Sequence, residues 1–322
     1  MMNVKEKIIN ILNKNVGKTV SGEEIAKELG VTRNSVWKAI NTLKKEGIDI
    51  KSSPNSGYIL NSSVDVFTSE SINSFLNKKR KILIYDEADS SNRIAKELAT
   101  NGEDEGTVVI VKSQTSGKGR MGRSFISSSE NGLYMTVILR PRILAKDALA
   151  ITVLGAVAVS QAIEKTSGVD TQIKWVNDIY IGKKKVSGIL CEAGFNFESG
   201  MLDYAVIGIG VNLLPPSEGF APEISEIATS IYENNAPCGY KSRLCAEIIN
   251  TFFEYYDRIY ENDYLAKYKE KSNVLGKEIE IDVGGKRTTG IAVDIDESAN
   301  LVIKTGEGLK TFNSGDARIK RW

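Results

Sequence analysis

Thr107-Val-Val-Ile-Val-Lys-Ser-Gln114-Thr-Ser-Gly-Lys-Gly-Arg-Met-Gly-Arg-Ser-Phe125 joins a β-branched apolar run to a basic, glycine-rich segment. Residues 107–112 read as a buried strand, because branched side chains lose rotamers in a helix and pack well on a pleated surface. The segment that follows interleaves Gly117, Gly119 and Gly122 with Lys118, Arg120 and Arg123. Glycine lets the backbone take φ > 0 and come close to a ligand, and three cations can converge on an anion. Leaving the edge of a sheet, this loop is an anion cradle able to close over a pocket, or else a flexible, solvated basic loop.

Working outward, residues 81–85 form a strand, and Asp89-Ser-Ser-Asn92 opens a helix carrying Ile94 and Leu98. Ser90 or Ser91 is a natural N-cap, so the pair serves either that cap or a ligand. Beyond the loop, residues 133–139 make another strand, and residues 147–165 a long helix rich in Ala, Val and Leu that belongs to a core and not to a membrane. Residues 171–175, residues 176–181, a Gly182-Lys-Lys turn and residues 185–192 follow as antiparallel strands. They offer Lys174, Asp178 and Lys185 to one site, although lysines round a hairpin also serve as solvated decoration and Asp178 as a turn carboxylate. Residues 204–211 supply one more strand, in which Gly208 and Gly210 would let a flat ring pack against backbone.

The first sixty residues follow a different pattern. Val4, Ile8, Ile11 and Leu12 repeat at helical spacing, and the helix ends near residues 15–17. Ser21-Gly-Glu-Glu24 is a capping box for a second helix that stops at Gly30, and Thr32 caps a third. The third helix turns Val36, Ala39, Ile40 and Leu43 to a core, leaving Arg33, Asn34, Trp37, Lys38 and Asn41 outward. Residues 47–51 and 58–60 are short strands around a polar turn, which is a wing. Ten Lys/Arg against six Asp/Glu in residues 1–60 give this unit a basic surplus. A helix-turn-helix with Arg33, Asn34, Lys38 and Asn41 outward suits DNA, by phosphate attraction and groove contacts; the bland reading is a protein-docking module.

Residues 61–77 are polar and read as a linker with a short helix inside it. At the other end, residues 243–260 and 263–272 are helices, and residues 277–282, 288–295, 301–304 and 309–312 are short strands separated by turn signals, a small β module suggesting a barrel. The whole chain has 322 residues, 41% of them apolar and 26% charged, with net charge +1, so nucleic-acid binding has to come from a local patch. No apolar signal-peptide core follows Lys5 and Lys7, and no run is long enough for a bilayer, so a cytoplasmic protein without membrane contact is expected. Three cysteines without CxxC spacing argue against a disulfide framework and a zinc site. Histidine is absent, which excludes an imidazole base or a histidine triad and leaves Lys, Arg, carboxylates or a bound ion for chemistry.

Taken in order, Asp89-Ser-Ser-Asn92, Gln114-Thr-Ser-Gly-Lys-Gly-Arg-Met-Gly-Arg123, Lys174-Trp-Val-Asn-Asp178, Lys185-Val-Ser-Gly-Ile-Leu-Cys-Glu192 and Gly208-Ile-Gly-Val-Asn212 closely resemble the biotin protein ligase family, and with the N-terminal unit its bifunctional members that also act as biotin operon repressors. The resemblance covers nearly the whole chain. It implies an α+β protein: a winged helix-turn-helix over residues 1–62, a mixed α/β biotin/lipoate ligase-like core over 63–272, and an SH3-like small β barrel over 273–322. It places Ser90, Ser91 and Asn92 at the biotin ureido end, Gln114 beside them, and Gly117, Lys118, Gly119, Arg120 and Arg123 in a loop that orders over biotin and the adenylate. Lys174 and Asn177 fall in the same binding set, Lys185 near the reacting carboxylate and phosphate, and Asn212 on the nucleotide side. Lys185, Arg120 and Asp178 are then the catalytic group.

The implied activity is ATP-dependent biotinylation of a lysine on biotin carboxyl carrier protein of acetyl-CoA carboxylase through biotinoyl-5′-AMP, with biotin, ATP and Mg²⁺ as ligands and no metal-ligand set in the chain. The adenylate-loaded form would also dimerise and bind operator DNA. Joining a carboxylate to ATP brings two anions together, so fixed positive charge is needed where the pentavalent phosphate develops. The sequence departs from the family pattern at Lys118 and Met121, where arginines are usual, at Val176 for proline, and at Phe125 for tryptophan. A biotin-sensing transcription factor without transfer activity and a lipoate-type ligase are the rival readings.

Overall fold

The computed structural model describes residues 4–45, 48–53, 57–61, 67–127, 131–196 and 198–320. The chain forms two compact units, one extending to Phe75 and including Pro237–Arg243, the other holding Leu76–Ala236 and the chain from Leu244 on.

The first unit contains α1 (Val4–Asn13), β1 (Thr19–Val20), α2 (Gly22–Leu29), α3 (Arg33–Lys45), β2 (Ile50–Ser53), β3 (Gly57–Leu60) and α4 (Ser69–Asn73). The expected capping box is present: Ser21 Oγ accepts from Glu23 N, and Glu24 Oε2 accepts from Ser21 N, both at 3.1 Å. Gly30 ends α2 in the left-handed region at φ 63°, and Thr32 Oγ1 accepts from Ser35 N at the start of α3. The inward residues Ile8, Leu12, Ile25, Val36, Ile40, Leu43 and Leu60 form the core. The strands order as β1-β3-β2, all antiparallel, so the wing has a third strand that two residues of sequence did not announce. Gly47, the polar turn at residues 54–56 and residues 62–66 of the expected linker lie outside the described residues.

The second unit is built on β4 (Ile82–Ala88), α5 (Ser91–Thr100), β5 (Val108–Gln114), β6 (Gly132–Leu139), α6 (Leu149–Ser167), β7 (Gln172–Lys174), β8 (Asp178–Ile181), β9 (Lys184–Phe195) and β10 (Leu202–Asn212), followed by α7 (Tyr240–Tyr256) from Leu244 on and by α8 (Asp263–Lys271). Seven strands order as β4-β5-β6-β10-β9-β8-β7; only β4 and β5 run parallel. The glycine loop therefore leaves the end of an interior strand, since β4 lies outside β5, and not the sheet's edge. Val206 joins Ala95 and Ala99 of α5 in one core cluster, while a side chain added at Gly155 of α6 would meet Ile207 Cδ1 at 2.3 Å. Successive strand residues point to opposite faces, so α5 and α6 cover the two faces of the sheet. The segment Ala145–Ser167 is long and apolar enough to cross a membrane, but 67% of its 18-residue apolar window is buried inside the protein. It is the core helix its composition predicts.

Five further strands, β11 (Glu278–Val283), β12 (Lys286–Ile295), β13 (Leu301–Thr305), β14 (Gly308–Phe312) and β15 (Asp316–Ile319), form an antiparallel sheet ordered β14-β13-β12-β11-β15. Its core is Ile279, Ile281, Ala292, Ile295, Leu301, Ile303 and Ala317. Four of these strands were readable; β15, at the end, was not. The sheet is tied to the ligase-like core where Trp175 Nε1 donates to Ala299 O at 3.1 Å.

Candidate functional site

Parallel pairing of β4 and β5 brings the start of α5 against the end of β5, and two polar segments meet there. Gln114 Oε1 accepts from Ser91 N at 2.8 Å, and Gln114 Nε2 donates to Ser127 Oγ at 3.0 Å. Ser90 occupies the N-cap position but its side chain makes no capping bond, so the local cap reading of the serine pair fails. Thr136 of β6 bonds Ser91 Oγ at 2.8 Å and Asn92 Oδ1 at 2.7 Å. Asn92 Nδ2 donates to Glu192 Oε2 at 2.9 Å, and Lys96 pairs with the other oxygen of Glu192 at 2.7 Å. Burial pushes the Glu192 carboxyl up, but the bonds from Lys96 and Asn92 outweigh it and leave it below the usual range. Ser90, Ser91, Asn92 and Gln114 are all buried.

The loop folds back on itself as a narrow hairpin. Gly119 N donates to Arg123 O at 2.7 Å and Phe125 N to Gly117 O at 2.9 Å. Gly117 has to be glycine, because an added Cβ would sit 2.3 Å from Phe125 O and Ser127 Oγ. Met121 takes φ 55° and stands exposed at the tip. The ring that packs on the glycine track of β10 is the protein's own: a Cβ on Gly210 would meet Phe125 at 2.6 Å, and one on Gly208 would meet Asn92 Oδ1 at 2.0 Å.

Two cavities adjoin at this point. The smaller, about 60 Å³, is lined by Ser90, Ser91, Asn92, Gln114, Lys118, Gly119, Arg120, Asn177 and Lys185 among others. The larger, about 870 Å³, is lined by Arg123, Lys174, Asp178, Lys185, Asn212, Asp316 and Arg318 among others. Lys185, Phe125 and Tyr134 border both. Every site residue expected in this unit lines one cavity or the other except Gly117, whose O accepts from Phe125 N within the loop.

Lys185 Nζ lies 2.6 Å from Asp178 Oδ1, across the β8–β9 hairpin. Arg120 Nη1 donates to Asn177 Oδ1 at 3.1 Å. Burial pulls the Arg120 guanidinium below its usual value, and Asp178, Tyr268 and Asp316 pull the other way. Burial lowers Lys174 likewise, against Asp178 and Asp316. Asn212 Nδ2 is engaged by Thr229 O at 3.0 Å. Asp316 Oδ2 meets Arg123 Nη2 at 2.7 Å and Arg318 Nε at 3.3 Å, with Lys174 3.9 Å from Oδ1.

Sequence reasoning missed Tyr134, Thr136, Glu192 and Asp316. Alternation of Tyr134 and Thr136 within an apolar strand was a usable signal for one polar face. Asp316 gave none.

In the first unit Arg33, Asn34 and Lys38 are exposed and Asn41 is half-buried, all on α3, whose opposite face is core. Arg33 makes one long contact with Glu23, at 3.9 Å.

A glycine loop over a cation-lined double cavity, joined in one chain to a winged helix-turn-helix, defines a ligase core carrying a DNA-binding module. Residues 85–212 match the biotin/lipoate A/B protein ligase family, residues 4–59 an HTH domain and residues 274–318 the biotin protein ligase C terminal domain. The bifunctional ligase/repressor BirA of Bacillus subtilis is 32% identical over 98% of both chains, and that of Escherichia coli 23% identical over 94% of both. A biotin protein ligase from Aquifex aeolicus, solved with biotin and ATP, superposes with a TM-score of 0.61 at 27% identity, covering 75% of this chain and 99% of its own. The chain belongs to the biotin protein ligase family, among its bifunctional ligase/repressor members.

Proposed function

We propose that this protein joins biotin to ATP as biotinoyl-5′-AMP, passes the biotinoyl group to a lysine of a biotin carboxyl carrier protein of the acetyl-CoA carboxylase type, and represses transcription by binding operator DNA as a dimer when loaded with adenylate. The observation that carries the ligase reading is Lys185 at the seam of the two cavities. The smaller pocket offers the neutral groups of Ser90, Ser91, Asn92 and Gln114 to a polar head, with Lys118 and Arg120 also on its wall, the larger offers Arg123, Lys174 and Arg318 to phosphates, and Lys185, which borders both, would stand where a carboxylate meets the α-phosphate.

In this reading Ser90, Ser91, Asn92 and Gln114 hold the ureido end, and Gly117, Lys118, Gly119, Arg120 and Arg123 cover biotin and adenylate. Lys174, Asn177 and Asn212 complete the binding set. Lys185 and Arg120 stabilise developing charge, and Asp178 orients Lys185. The loop also keeps water from the mixed anhydride until an acceptor lysine arrives. Among the described residues no three Asp, Glu, Cys or His side chains gather as a metal site, and Asp178 and Asp316 are both engaged by cations. Mg²⁺, a hard cation that favours oxygen ligands, would enter with ATP and neutralise phosphate charge. The working boundaries are residues 1–62 for DNA binding, 63–272 for catalysis and 273–322 for the C-terminal module.

Incubation with biotin, ATP, Mg²⁺ and apo-carrier should give streptavidin-reactive carrier; pyrophosphate release without transfer would identify an adenylate-forming sensor, and tighter binding of lipoate than of biotin in calorimetry a lipoate-type ligase. A gel shift with no biotin-dependent sequence preference would remove the repressor role.

A further inference from the structure

Trp37 is 55% exposed on α3, an unusual setting for so large an apolar side chain. It stands one helical turn from Arg33 and Asn34 on one side and from Asn41 on the other, with Lys38 next to it. Val36, Ala39, Ile40 and Leu43 fill the core, so nothing in the packing of this helix requires an aromatic at position 37. The helix carries Arg33, Lys38, Lys44 and Lys45 and no carboxylate. A lone aromatic ringed by amides and cations fits DNA better than protein, since a protein interface would need further apolar neighbours.

We propose that Trp37 is a specificity-determining residue that makes apolar contact with the C5-methyl of a thymine in the major groove, while the basic groups around it hold phosphates. The methyl is the one apolar mark that the major groove displays, and amides at one turn's distance suit the polar edges of adjacent bases. The inference rests on the DNA-binding reading above and adds a residue and a base to it.

The test uses the full chain with biotin and ATP, and duplexes enriched by it from a random-sequence library. Replacing single thymines of the enriched duplex by deoxyuridine removes only the methyl. The expected result is one symmetry-related pair of positions, one in each half-site, at each of which wild-type affinity falls by roughly fourfold, the worth of one buried methyl. Trp37→Ala, changed in both subunits, should bind the thymine duplex more weakly by at least the product of the two single-position losses, be indifferent to deoxyuridine there, and keep the wild-type salt dependence, because no phosphate contact is lost. Trp37→Phe should retain part of the discrimination. Equal sensitivity of wild type and Trp37→Ala at every thymine would overturn the role of Trp37 while leaving DNA binding intact. Failure of the wild type to enrich any duplex would instead remove the DNA reading itself. Because the side chain is exposed, unchanged far-ultraviolet circular dichroism is expected for both variants.

Discussion

Arg123 of the glycine loop donates from Nη2 to Asp316 Oδ2 of the C-terminal sheet at 2.7 Å, across 193 residues of chain. The same carboxylate faces Arg318 at 3.3 Å and Lys174 at 3.9 Å, so one acid gathers three of the cations that line the larger cavity. Asp316→Asn keeps the size of the side chain and removes its charge. Arg123 then loses its fixed position and the loop its tie to the C-terminal sheet. The Michaelis constant for ATP in pyrophosphate exchange should rise roughly tenfold, the scale of one charged hydrogen bond, with that for biotin little changed. An unchanged ATP constant would show that phosphates need no such pre-organisation.

The same group sets a pH dependence. Burial pushes the Asp316 carboxyl up, but Arg123, Lys174 and Arg318 outweigh it and hold it below the usual range. A depressed carboxyl adds stability that is present in full above its unfolded value, about 4, and is lost as pH falls through the folded value. Wild type should therefore melt above Asp316→Asn at neutral pH, and the gap should close on acidification below about 4. A gap that widened in acid would reverse the sign of the argument.

What could be read in advance follows from how local each cause is. The capping box at Ser21, the left-handed Gly30 and the apolar stripe from Val36 to Leu43 act over a few residues, and the winged unit was legible from them. The β8–β9 hairpin likewise announced that Lys185 and Asp178 would meet. Asp316 was invisible because its partners lie far off in sequence and β15 is four residues long. The position of β5 inside the sheet was missed for a related reason, since its parallel partner β4 is joined to it through a helix. Ser90 and Ser91 sit where caps sit, and only the bonds that tie Ser91 to Gln114 and Thr136, far off in sequence, and the cavity that both serines line set them apart from an ordinary cap.

Gly208 tests that pocket through space alone. An alanine Cβ there would come within 2.0 Å of Asn92 Oδ1, and Asn92 is pinned by Thr136, Leu190 O and Glu192. The asparagine has to leave these bonds, stranding buried polar groups at a cost of about 1–3 kcal/mol. Gly208→Ala should lose biotin affinity by at least about tenfold in calorimetry. Gly306→Ala, with nothing within 4 Å of its Cβ, is the neutral control.

Lys185 and Asp178 separate charge from positioning. Lys185→Met removes a cation from the seam of the two cavities, where the proposed attack of carboxylate on phosphate would build negative charge, and should slow pyrophosphate exchange by roughly 100- to 1000-fold. Asp178→Asn leaves the ammonium in place but loosens its 2.6 Å anchor. A misdirected ammonium still contributes field at the reacting atoms, so the loss should be near tenfold and confined to turnover, with biotin affinity unaltered. If Asp178→Asn were as damaging as Lys185→Met, the carboxylate would itself have to touch the reacting groups, and the orienting role would pass to the Asn177 and Arg120 pair.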